Sequence, residues 1–346
     1  MNSRLKYSEK NYLCKYDLSS KFFKELGLEI KDIYPMRKVF LLVTEEGNKI
    51  LKKVNYSIER VDLISDCLEF VKRNYKNVIT YKKFKDGLNY KIWNEDIYVV
   101  MDMLEGREAS ISNPVEINLC AENIALMHKA SQGIRQYLIK KYNRDFLDRS
   151  LNEKFKEAYD SMINIKNIVD KYEHKNEFDE IFLKNIDNYL SDILDVEERL
   201  KNSKYDDLRN DGSTICLCHN DLAYHNFLTN KQEINIIDFD YMSIDLRIMD
   251  LADFILKSIK NSTFDMEKIN LVINGYENVS RLMEEEKDIL NILLSFPRDF
   301  YTIVKDYYYK RKDWDYEVFL NRFKSKMDNE IFRYDLLENY KRKNYV

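Results

Sequence analysis

Proline and glycine set the first limit on this chain of 346 residues, since proline breaks helices and glycine weakens them. Between Pro114 and Pro297 there is no proline, and the only glycines are at 133, 212 and 275. Helices can therefore run long there. Ile117, Ala121, Ile124 and Met127 mark one helical face. Residues 145 to 205 repeat apolar positions at three- and four-residue steps (Leu151, Phe155, Met162, Ile165), which predicts a pair of amphipathic helices. Cys216 to Asp240 is the exception, with short strand-like runs and tight turns, and after Asp250 the pattern is helical to the end.

The first hundred residues read differently. Val39 to Val43 and Lys49 to Val54 are strand-like runs joined by a hairpin composition over Thr44 to Asn48. Ile58, Val61, Ile64, Leu68 and Val71 fall at helical spacing behind Ser57, a good N-cap. Ile97 to Met101 is another strand, running into a break at Glu105, Gly106 and Arg107. The expected architecture is α+β: a small β-rich lobe over 1–104, connector included, and a mostly helical lobe over 105–346 that carries one island of strands and loops.

Lysine and arginine number 56 against 60 acidic residues, and a net charge of -4 gives no basis for tracking a nucleic-acid backbone or an anionic membrane. The 26 tyrosines are read as packing against half-buried helices. Five cysteines (14, 67, 120, 216, 218) are odd in number and scattered, which argues for a reducing compartment rather than a disulfide framework. The chain starts without an apolar leader and holds no apolar run near the ~18 residues of a membrane span, so a cytoplasmic protein is expected.

Chemistry concentrates in the island. It reads His219-x-Asp221-(x)4-Asn226 and then, past a turn over Asn230 to Gln232, Asp238-Phe239-Asp240. Phosphoryl transfer needs a carboxylate to orient and deprotonate the acceptor, and oxygen ligands that hold Mg²⁺ against the phosphates. Asp221, then Asn226 with Asp238, supply those groups in that order, and the twelve-residue offset from 226 to 238 fits a hairpin that sets the last two side by side. His219 braces the loop within this catalytic group. The pair Cys216 and Cys218 invites a zinc reading, but a structural site wants four ligands, and strand alternation makes both cysteines small buried hydrophobes. His128 follows an apolar helical face and reads as a satisfied core histidine; His225 could touch substrate or metal, or support the loop.

The island resembles the catalytic loop of the aminoglycoside phosphotransferase and choline kinase group within the protein-kinase-like fold, and more closely the CotS family of spore coat proteins. The closer resemblance spans nearly the whole chain, through KILKKV, LEGREASISNP, LMHKASQG, HNDLAYHN with IIDFD, DLRIMDLADFI and LSFPRDFYTIVKDYYYKRKDW. It implies a bilobal fold, ATP or GTP with Mg²⁺ as cofactors, Asp221 as catalytic base, Asn226 and Asp238 as metal ligands, and Asp240 as a further ligand. It also implies that Asp250 ties down the catalytic loop.

On the nucleotide side the fold calls for a strand lysine on the phosphates, paired with a helix glutamate. Lys52 shares the face of Ile50 and Val54, where a lysine needs an anionic partner, and is chosen over Lys49 and Lys53. Glu69 is ranked ahead of Glu59 as its partner, and Met101 and Met103 in the connector offer backbone groups to a nucleotide base. The segment from Ile33 to Phe40 has no glycine, unlike the phosphate-covering loop of protein kinases.

Three functions compete. One is a kinase acting on a small hydroxyl compound, a polysaccharide or a coat protein, working in the mother-cell cytoplasm or on the spore coat. Another is a catalytically silent component of that coat. The last, an aminoglycoside resistance enzyme, would draw on Asp313, Asp315 and Glu317, but Lys310, Arg311 and Lys312 lie beside them.

Overall fold

A computed structural model describes residues 18–36, 39–230, 233–259 and 265–344. Cys14 and most of the turn from Asn230 to Gln232 lie outside them. Two compact units divide the chain: one runs to Ala109 and includes His225–Met242, and the other holds Ser110–Tyr224 and continues from Ser243. The island read from the sequence is thus shared between them.

In the first unit, helix α1 (Ser20–Glu25) precedes β1 (Ile30–Met36), β2 (Val39–Thr44), β3 (Gly47–Val54), α2 (Ile58–Lys72), β4 (Lys91–Trp93), β5 (Asp96–Asp102) and β6 (Arg107–Glu108). Five strands make an antiparallel sheet in the order β1-β2-β3-β5-β4. The β2–β3 turn needs Gly47, whose φ of 94° is left-handed. Phe22 of α1 packs on one face of the sheet with Phe40, Leu42, Leu51, Tyr98 and Val100. Ser57 caps α2 by accepting the Arg60 amide.

A hairpin of Phe227–Asn230 and Glu233–Ile236 belongs to this unit because β6 pairs with its first strand and the Ile236 amide donates to the Asn77 carbonyl. Gly106 lies against it: a Cβ there would stand 2.9 Å from the Thr229 carbonyl oxygen.

The second unit is helical, as its scarcity of proline and glycine predicts. Its helices are α3 (Pro114–Ala130), α4 (Ile134–Tyr142), α5 (Leu151–Val169), α6 (Glu177–Lys201) and α7 (Tyr205–Asn210), then α8 (Ile248–Ile259), α9 (Met266–Glu277), α10 (Glu284–Ser295), α11 (Arg298–Tyr308), α12 (Tyr316–Asp328) and α13 (Glu330–Asn344). Pro114 opens α3 at a position where its missing N–H costs nothing, and capping boxes start α5 (Ser150, Glu153) and α6 (Asn176, Asp179). Helices α5, α6, α11 and α12 share an aromatic core in which Tyr307 stacks on Phe178 at 3.9 Å and Tyr189 on Phe300 at 3.7 Å. A two-stranded ribbon, Ile215–Cys218 against Ser243–Leu246, lies among the helices. Among the described residues no helix is long and apolar enough to cross a membrane.

Helix α9 packs against α3 through Gly275, where a Cβ would come within 2.5 Å of the Asn118 carbonyl oxygen and 3.1 Å of the Ala121 Cβ. Gly275→Ala is therefore expected to destabilise the protein by about 1–3 kcal/mol through overpacking. Urea denaturation checks this, and an unchanged midpoint would mean that the two helices separate freely.

Candidate active site

In the first unit the site is built on a lysine between two carboxylates. Strand β3 sets Lys52 opposite Val99 of β5, and its Nζ lies 2.6 Å from Asp238 Oδ1 and 2.7 Å from Asp240 Oδ2. Burial opposes the lysine's charge, but the two carboxylates outweigh it and raise its pKa above the ordinary value. Lys49 and Lys53, on the other face, pair instead with Asp102 and Asp96.

The hairpin brings Asn226 next to this group. The Ile237 amide donates to the Asn226 carbonyl, closing the open end of the ladder one residue before Asp238. Asp238 is left-handed (φ 70°, ψ 63°), a region that aspartate tolerates better than most residues. Asp240 accepts a hydrogen bond from Tyr56 at 3.0 Å, and the Tyr56 hydroxyl is 3.0 Å from that of Tyr81. Arg60 of α2 donates to the carbonyls of Asp240 and Met242, which ties the start of the helix to the Asp-Phe-Asp turn.

Two expectations need correction here. Glu69 is exposed on α2, nine residues or ~13 Å of helix beyond Arg60, and Lys52 takes its partners from the turn instead. Glu59 is also exposed. In the connector, Met101 pairs with Ile50 in the sheet and the Met103 amide donates to the Asn48 carbonyl at 3.0 Å, so that amide is engaged by β3 rather than offered to a base.

In the second unit the loop after Cys218 is held from below by Asp250 of α8, which has no exposed surface. Its oxygens accept the amides of His219 (2.6 Å) and Asn220 (2.8 Å) and bond His128 Nε2 (3.0 Å). The other nitrogen of His128 bonds the Tyr276 hydroxyl at 2.8 Å. Burial pushes the Asp250 carboxyl up, but the hydrogen bond and charge of His128 and the loop amide override it and hold the pKa below the usual carboxylate value. His219 is fully buried, and its Nδ1 accepts the Asp221 amide at 3.2 Å. That bond braces the loop from within. His225 is exposed. Asp221 pairs with Lys257 Nζ at 2.5 Å.

Cys216 and Cys218 are buried with sulfurs 3.8 Å apart, beside His128. Both imidazole nitrogens already have partners, so this trio reads as packing rather than as a zinc site. The oxygen set of Asn226, Asp238 and Asp240 is different. It suits a hard cation such as Mg²⁺, and the two carboxylates already accommodate one positive charge, that of Lys52. In the tail, Asp179 and Asp313 line a hollow of about 520 Å³ with Tyr172, Tyr307 and Trp314, and Lys310 and Lys312 line it too, so its acidic and basic groups balance.

Sequence reasoning missed Tyr56, Arg60 and Tyr81, which carry no motif signal. It also missed Asp253 and Lys257, whose offsets from Asp250 by three and seven residues put all three on one helical face.

The sequence model for choline/ethanolamine kinase matches residues 99–287. The chain is 23% identical over 298 residues to spore coat protein S of Bacillus subtilis (strain 168), covering 82% of this chain and 81% of that one. It resembles the crystal structure of an aminoglycoside phosphotransferase from Alicyclobacillus acidocaldarius with a TM-score of 0.81 at 15% identity, over 95% of this chain and 96% of that one. It also resembles an amicoumacin kinase in complex with AMP-PNP, Ca²⁺ and Ami, with a TM-score of 0.61 at 14% identity, over 95% of this chain and 96% of that one. The fold is the α+β, protein-kinase-like phosphotransferase fold, and the resemblance to a spore coat protein stands.

The Asp250 arrangement makes stability depend on acid. A carboxyl held below its unfolded value of about 3.8 contributes stability that is complete above that pH and is lost as pH falls through the lower native value. Urea midpoints of the wild type should thus decline below about pH 4. Asp250→Asn should be less stable at neutral pH, by about 3 kcal/mol or more, and should lose this part of the decline. Parallel pH profiles for the two proteins would contradict the assignment.

Proposed function

Because this chain belongs to the choline/ethanolamine kinase family, we propose that it is a phosphotransferase that uses Mg²⁺ with ATP or GTP to phosphorylate a hydroxyl acceptor, and that it acts in association with a spore coat. The observation that carries the reading is Lys52 seated between Asp238 and Asp240, a strand lysine beside turn carboxylates, the groups that phosphoryl transfer needs at the phosphates and the metal. Asp221 takes the proton of the acceptor hydroxyl. Asn226 and Asp238, with Asp240 as a further oxygen ligand, would hold Mg²⁺, which supplies positive charge to the phosphates when bound. Lys52 contacts the phosphates. Asp240, bonded by both Lys52 and Tyr56, keeps that lysine in place, the task first expected of Glu69.

The acceptor is a small hydroxyl compound, a polysaccharide or a coat protein. Similarity to spore coat protein S supports the coat association, with the mother-cell cytoplasm as the place of synthesis. A second reading, a catalytically silent coat component that has kept the fold, draws on the same similarity and on the glycine-free segment from Ile33 to Phe40.

Thermal shift separates the two. A nucleotide with Mg²⁺ at a hundredfold over its Kd adds about 2.7 kcal/mol, or about 3–4 °C for a chain of this length. Wild type and Asp221→Asn should both show that shift, and Lys52→Met and Asp238→Asn should lose most of it. No shift in the wild type with either nucleotide would favour the silent component.

A further inference from the structure

Helix α8 turns one face to the catalytic loop and holds four successive residues of it. Asp250 takes the amides of His219 and Asn220, and Asp253 Oδ2 takes the amide of Leu222 at 2.9 Å. Lys257, one turn further along, reaches the residue between them: its Nζ lies 2.5 Å from Asp221 Oδ1 and 2.9 Å from Asp253 Oδ2. An ordinary i, i+4 pair on a helix surface is solvated, weak and free to swing. This one is different, because Asp253 is only 6% exposed, its Oδ2 is already bonded by the Leu222 amide, and Arg298 Nη1 adds an ion-pair charge 2.7 Å from its Oδ1 at the start of α11. A lysine nitrogen between an immobilised carboxylate and a loop carboxylate sets the direction of the second. The two residues that follow Asp221, Leu222 and Ala223, are apolar.

We infer that Lys257 is a positioning residue of the phosphotransfer centre, holding the Asp221 carboxylate in the orientation from which it receives the acceptor's proton. This rests on the reading of Asp221 as the base. A base displaced by a fraction of an ångström loses much of its rate advantage while nucleotide binding is untouched. The effect should therefore fall on kcat.

The experiment compares the full chain as wild type, Lys257→Gln, Lys257→Arg, Asp221→Asn and Asp221→Asn with Lys257→Gln. Mg-ATP turnover is measured with water or glycerol as acceptor, and urea midpoints are measured on the same samples. Lys257→Gln should lower kcat roughly tenfold or more with KM for ATP within about threefold, and Lys257→Arg should recover most of the loss. In the Asp221→Asn background, Lys257→Gln should have no further effect on kcat, because the residue acts through Asp221. An equal loss in both backgrounds, or a raised KM with kcat unchanged, overturns the inference. If the wild type turns over no nucleotide, it is the phosphotransferase reading that fails. The midpoints then decide the pairing alone: destabilisations that do not add keep Lys257 as the holder of Asp221, and additive ones remove it.

Discussion

Asp250 holds a negative charge buried from solvent, and the start of the loop at His219 and Asn220 hangs from that charge. Desolvating a carboxylate costs several kcal/mol, and the cost is offset only when each oxygen is well bonded. Here two loop amides and the His128 ring do this, with Tyr276 fixing the far side of the imidazole. The consequence is geometric. Two successive amides can point at one carboxylate only if the backbone turns sharply, and Asn220 makes that turn at a left-handed φ of 62°. Asp221 then leaves the turn with its amide held by His219 and its carboxylate paired with Lys257 of α8.

One helix thus does most of the positioning in the second unit, and a second helix does the corresponding work in the first. At the start of α2, Arg60 grips the backbone on either side of Tyr241, while Tyr56, just ahead of it, grips the Asp240 side chain. In both places a short, irregular loop is held by side chains from a regular element. That is how each loop can carry a residue in the left-handed region, Asn220 beside Asp221 in one and Asp238 in the other.

What could be read from the sequence follows from the range of the interactions. Strand alternation put Lys52 on the face away from Leu51, and the offset from Asn226 to Asp238 implied a hairpin; both are local patterns with a fixed period or loop length. The proline-free stretch marked out the helical unit for the same reason. The partner of Lys52 was not legible, because it depends on how far along α2 the turn is docked, and that is set by Arg60, an arginine with no distinguishing neighbours. Nor could the sequence show that Met103 gives its amide to Asn48. Lys257 was within reach, since Asp250, Asp253 and Lys257 share a helical face, but a charged face reads as solvated until the loop beneath it is seen.

The most direct test of the account is ADP release from Mg-ATP by the wild type and by Asp221→Asn, under conditions where both are saturated with nucleotide. The account predicts measurable release by the wild type and a loss of roughly 10²–10⁴-fold in the variant, the range for removal of a general base. Equal rates in the two proteins, or no release by the wild type with either ATP or GTP, would contradict it.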